Sequence, residues 1–113
     1  MTAQPIHADL AAGRWHQMPL VTQLANVGSE VDRAIRAHAR GNTERWTGAF
    51  ARALELFDLT ATDERWRGHR RREILRAREL FCGLFYAAPP PSGDAEFLQK
   101  YFLEFAVAAR RTP

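Results

Sequence analysis

The sequence predicts an all-α protein, an antiparallel up-down-up-down four-helix bundle. Three observations carry that prediction. Apolar residues recur at three- and four-residue spacing in four separate stretches. Breakers fall between them: HARGN at 38–42, TATD at 60–63 and AAPPPSG at 87–93, whose three prolines cannot continue a helix. No run alternates apolar and polar over six residues, and no Asn-Gly or Asp-Gly pair marks a hairpin. Four helices of roughly 18–22 residues, each about 27–33 Å long, joined by short connections, imply antiparallel neighbours.

Each element is argued from its residues. Residues 1–17 read as a flexible arm, with Pro5, Gly13 and no sustained period, and with Trp15 placed to pin its end to the body. The bundle spans 18–110, and 111–113 form a tail. Helix one starts near Pro19, a residue favoured in a first turn, and carries Leu20, Leu24, Val27, Val31, Ala34 and Ile35 on one stripe. Gly41 suits its C-terminal cap, and Asn42 the N-cap of helix two. Trp46, Phe50, Ala53, Leu54 and Phe57 form the inner face of helix two. Thr62 or Asp63 caps the third element. Helix three presents Trp66, Ile74, Ala77, Phe81, Leu84 and Phe85, and Gly68 can break it early, leaving 63–68 as a separate turn. Ser92 or Asp94 opens helix four, whose inner residues are Phe97, Leu98, Tyr101, Phe102, Phe105 and Ala109.

A chain of 113 residues suits one domain and can bury a core without disulfides or metal. Apolar residues at 46% and charged residues at 26% are ordinary for a globular protein. The single cysteine, Cys82, excludes an intramolecular disulfide and points to a reducing compartment. No apolar run reaches the ~18–20 residues a bilayer requires, and MTAQPIHADLAAGRWHQ lacks the features of a secretory signal. The expected location is cytoplasmic.

Little points to catalysis. The seven glycines form neither a Walker nor a dinucleotide pattern. His7, His16, His38 and His69 have no HExxH or ExxH partners, so no metal and no cofactor are expected. His38 reads as a histidine at the bundle's edge, and Cys82 as a structural thiol with no base beside it. The acids Glu55, Asp58, Glu73 and Glu79 are more simply salt-bridge partners than a hydrolytic pair. The chain is therefore expected not to be an enzyme.

Charge is the more informative signal. The net charge is +3, and fifteen of sixteen basic residues are arginine. Arginine suits bidentate binding of carboxylate and phosphate, although a GC-rich genome produces the same bias. ERWRGHRRREILRARE, residues 64–79, holds seven arginines and three glutamates, a surplus of +4. The other 97 residues then sum to −1, which places the excess in one segment. On a helical wheel with Ile74 inward, Arg65, Arg72 and Arg76 face solvent with Arg71 on the flank, a candidate nucleic-acid-binding stripe. Arg67 and Arg70 project toward the core side and Arg78 lies on the flank; Arg70 and Arg78 are candidates for internal, structural ion pairs with Glu30, Glu55 or Asp58. In helix four, Leu103 and Val107 lie nearly opposite Phe97, Tyr101 and Phe105, and a helix apolar on two sides has two surfaces to cover. Leu103 and Val107 are candidates for an oligomer interface.

The blocks LANVGSEVDRAI (24–35), ALELFDLT (53–60), RWRGHRRREILRARELFC (65–82) and YFLEFAVAAR (101–110) are similar to a group of small uncharacterised bacterial helical proteins. Through size and helix pattern that group resembles the four-helix-bundle superfamily of the ribosomal-RNA intervening-sequence proteins and the accessory proteins of diversity-generating retroelements. The resemblance implies a bundle that assembles as a homo-oligomer, a pentamer in such relatives, some of which bind nucleic acid beside a reverse transcriptase. It implies no catalytic residues. The expected function is a non-enzymatic, oligomeric adaptor or accessory subunit of a bacterial assembly with a protein partner. The alternative is a direct RNA- or DNA-binding accessory protein using the arginines of helix three.

Overall fold

A computed structural model describes residues 13–87 and 92–111. It holds four α-helices: α1 (Leu20–Ala39), α2 (Thr43–Ala61), α3 (His69–Tyr86) and α4 (Asp94–Arg111). Single 3-10 turns at Trp15–Gln17 and Glu64–Trp66 precede α1 and α3. No strand is present among the described residues, and no helix among them is long and apolar enough to cross a membrane. Most of the expected arm, residues 1–12, and the prolines Pro89 to Pro91 lie outside the described residues. So do residues 112–113 of the expected tail, while Arg111 ends α4.

Around α1, α2 and the start of α3 the breakers act where the sequence places them. Pro19 is the N-cap of α1, and its carbonyl accepts from Thr22 N and Gln23 N. At the far end, Gly41 N–H donates to His38 O and Asn42 N–H donates to Ala37 O, the paired bonds of a Schellman cap. Gly41 takes φ +71° there, a left-handed conformation that favours glycine. Asn42 Oδ1 then accepts from Arg45 N, so one residue closes α1 and opens α2. Of the two candidates after α2, Asp63 is the cap: its carboxylate accepts from Arg65 N. Gly68, at φ +76°, separates the 3-10 turn from α3.

α1 packs against both α2 and α4, and α3 packs more loosely against the same two helices. Buried Leu24, Val27, Val31 and Ala34 of α1 meet Ala53, Leu56 and Phe57 of α2, Ile74, Ala77 and Phe81 of α3, and Leu98 and Phe102 of α4. Each large side chain so buried contributes about 1.5–3 kcal/mol. Trp15 belongs to this core and donates from Nε1 to Thr60 Oγ1 at 3.1 Å, pinning the segment before α1. Contacts between elements run in opposed order. Gln23 meets Asp63, Glu30 meets Arg52, and His38 meets Trp46. Phe50 meets Phe85 and Asp58 meets Arg78. Phe102 lies against Gly28, and Gln99 donates to Asp32.

Of the residues expected on the inner face of α4, Leu98 and Phe102 are buried and Tyr101 and Phe105 pack partly buried against the core, whereas Phe97 is 56% exposed. Two stripes of large apolar residues at i,i+4 spacing lie side by side on this helix, 97–101–105 and 98–102. Gly28 decides between them. Lacking a Cβ, it lets Phe102 reach the α1 backbone; a Cβ there would stand 2.5 Å from Phe102 Cβ.

Candidate anion-binding groove

The tight α1–α2 corner brings the last two turns of α1 beside the first three of α2. Arg33 and Arg36 come from the first helix and Arg40 from its C-cap, Arg45 and Arg52 from the second. They line one open groove of about 510 Å³, floored by Ala37 and Ala49. Small residues on the floor let the long side chains converge. Gly48 adds room: a Cβ there would sit 3.2 Å from Arg52 Nη1.

Glu30, buried at the groove's inner edge, accepts from Arg33 Nη1 at 2.8 Å and Arg52 Nε at 3.2 Å. One carboxylate thus holds two guanidinium groups, one from each helix, and leaves a positive surplus. Asp32 Oδ2 accepts from Arg36 Nε at 2.8 Å while its other oxygen accepts from Gln99. Arg40 and Arg45, at the rim, are in no ion pair among the described residues. Glu44 is the acid in the lining. Arginines already oriented by carboxylates behind them, with exposed ones in front, suit a phosphate group, which takes several charge-assisted hydrogen bonds at once.

The helix-three arginines are distributed differently from the expected stripe. Arg65 lies before α3, in the 3-10 turn, because Gly68 breaks the helix. Its Nε and Nη2 grip the Asp63 carboxylate at 3.0 and 2.7 Å, Nη2 also donates to Met18 O, and the guanidinium lies 4.5 Å from the Trp66 ring centroid. Arg71 is half-buried, with Nη2 donating to Asp63 O at 3.3 Å. Arg72 and Arg76 are exposed on α3. Arg78 pairs with Asp58 at 2.9 Å, at the surface rather than internally. Arg70, expected nearer the core, is exposed and in no ion pair among the described residues. Glu30 faces α2 rather than α3 and takes Arg52, while Glu55 is half-buried on α2.

Asp63 is the hub of a second polar cluster. It is 4% exposed. Besides Arg65, Gln23 Nε2 donates to it at 3.1 Å and His16 Nδ1 stands 3.4 Å away. Gln23 in turn donates to Trp15 O and accepts from Trp66 Nε1. The Arg65 hydrogen bonds, with those from Gln23, hold the Asp63 carboxyl well below the usual range despite its burial. Burial pushes the half-buried Cys82 thiol up, away from the reactive thiolate.

On α4, Leu103 is 59% exposed and Val107 37% exposed. His38 is exposed and its ring meets those of Trp46 and Phe85 edge-on. No group of three or more His, Cys, Asp or Glu residues among those described is placed to hold a metal ion.

The groove's arginines are not among the residues the sequence singles out, yet a signal is present. Residues 33–52 carry five arginines and one glutamate, +4, equal to the surplus of 64–79. A sum over everything outside 64–79 hides it, because acidic residues elsewhere cancel it. No protein-family model matches the chain, and neither the curated proteins nor the solved structures yield a match.

Proposed function

We propose that this chain is a non-enzymatic, cytoplasmic accessory bundle, antiparallel up-down-up-down, that holds the phosphate backbone of a nucleic acid in the α1–α2 groove. One observation carries the reading: five arginines from two helices converge on a single groove of about 510 Å³. The opposed order of contacts across α1–α2, α2–α3 and α1–α4 supports the bundle topology. The groove differs from an ordinary solvated face in being concave, in drawing on two elements, and in keeping Arg40 and Arg45 at its rim. Exposed Tyr86, whose ring lies 6.3 Å from that of Trp46, offers a surface for an unstacked base at the same end of the bundle. The resemblance carried by the sequence blocks agrees with an accessory role beside nucleic acid.

Fluorescence anisotropy with a labelled single-stranded RNA and a labelled DNA duplex, titrated at low salt, tests the reading. Wild type binds at least one of them. Arg40→Ala with Arg45→Ala weakens binding by about tenfold or more and flattens the log–log salt slope by roughly 0.7–0.9 per lost phosphate contact. Thermal melting of that variant matches wild type, since exposed charges contribute about 0–1 kcal/mol. Absence of binding by wild type, or an unaffected variant, removes the groove as the site.

A further inference from the structure

We infer that two copies of this chain pair through α4, antiparallel about a twofold axis at Leu103. Three features of one face lead there. The first is the exposed apolar line of Leu103 and Val107. The second is a hollow of about 160 Å³ between α4 and α1, bordered by Leu103 itself and by Ala25, Gly28, Phe102 and Ala106, with Asp32 and Gln99 on its polar side. Knob and hollow sit on the same surface, which is what an isologous contact requires: each copy offers its Leu103 to the hollow of the other.

The third feature is charge. Glu96, Leu103 and Arg110 are spaced by seven residues, so they lie along one line of the helix. Glu96 and Arg110 are exposed, and neither is in an ion pair among the described residues. They are equidistant from Leu103. In an antiparallel pair centred on Leu103, Glu96 of each copy faces Arg110 of the other. A parallel pair would set Glu96 against Glu96 and Arg110 against Arg110. The pattern therefore selects a second copy of this chain, in one orientation. The pairing uses none of the groove arginines, so it stands independently of the proposed nucleic-acid function.

Sedimentation velocity over a concentration series tests the pairing. Wild type should shift with rising concentration from one 12.9 kDa chain to two. Leu103→Glu should stay a single chain with an unchanged helical circular dichroism spectrum, because Leu103 is largely solvent-exposed in the single chain. Glu96→Arg alone and Arg110→Glu alone should each weaken the dimer by about tenfold or more. The combined Glu96→Arg/Arg110→Glu chain should regain dimerisation to within a few-fold of wild type. A chain that stays single at every concentration overturns the pairing. So does a five-chain assembly, or a double variant no better than the singles. Arg40→Ala/Arg45→Ala should dimerise like wild type, which keeps failure here distinct from failure of the groove.

Discussion

Asp63 shows how much of a small protein can hang on one carboxylate. It caps the turn before α3, holds Arg65, and reaches Gln23 of α1, which is itself bonded to Trp15 and Trp66. Three segments meet there: the turn before α1, α1 itself and the turn before α3. The carboxyl is held below its usual range, first by the Arg65 side chain. A depressed carboxyl stabilises the fold in full above its unfolded pKa of about 3.9 and loses that contribution as pH falls toward the folded value. The melting temperature of wild type should therefore decline below about pH 4. Asp63→Asn should destabilise the chain near neutral pH by about 2–4 kcal/mol, the cost of removing one partner from a half-buried charged cluster. It should also flatten the acid limb of the stability profile. Chemical denaturation at several pH values measures both; equal stabilities of variant and wild type at neutral pH would exclude the hub. Asp63 was legible from the sequence as a cap and no more. Its distant partners depend on how α1 lies against the α2–α3 turn, which no local pattern encodes.

Between elements, close approach decides what periodicity leaves open. α1 meets α4 at Gly28, where Phe102 occupies the space of a side chain. On an isolated helix, glycine to alanine gains about 1 kcal/mol. Here Gly28→Ala should instead destabilise by about 1–3 kcal/mol, because the added methyl meets the fixed Cβ of Phe102 and the helices must part. Thermal unfolding checks the sign, and a stabilised variant would show the approach to be looser. The same contact explains what the sequence could not convey about α4. Its period marks a helix, but the two neighbouring stripes differ by only one residue, and the choice lies in a glycine on another element. Helix boundaries were more legible: Pro19, Gly41, Asn42, Asp63 and Gly68 act through local backbone geometry, and each stands where the chain turns. The ion pairs fall between these cases. Both cross-helix pairs join consecutive helices, Arg78 to Asp58 across α2–α3 and Glu30 to Arg52 across α1–α2, but which acid takes which arginine depends on how the helices are rotated.

Over the whole molecule, charge is gathered into separate regions. Residues 33–52 and 64–79 each carry +4 against +3 overall, so the rest of the chain carries −5. The two basic segments are not equivalent. In 33–52, the arginines converge on a groove; in 64–79, exposed Arg65 and half-buried Arg71 are engaged with Asp63, leaving Arg72 and Arg76 as the part of the expected stripe that is exposed and in no ion pair among the described residues. Residues that a helical wheel groups together should therefore respond in opposite ways. Arg65→Ala should lower stability by about 1–3 kcal/mol, a buried-pair cost discounted for the partial exposure of Arg65. Arg72→Ala with Arg76→Ala should leave the melt unchanged. In nucleic-acid titrations at low salt, the Arg72/Arg76 chain loses only long-range attraction. That loss should fade near 0.15 M salt, where screening falls to about 8 Å. The Arg40/Arg45 deficit should be the larger one at low salt and should carry the flattened log–log slope, roughly 0.7–0.9 per lost phosphate contact, because those arginines make direct contact. Melting curves and anisotropy titrations on the three variants separate the roles. A stable Arg65→Ala chain with weakened binding would return Arg65 to the nucleic-acid surface. A deficit and a slope change in Arg72/Arg76 as large as those of Arg40/Arg45 would move the contact from the groove to α3.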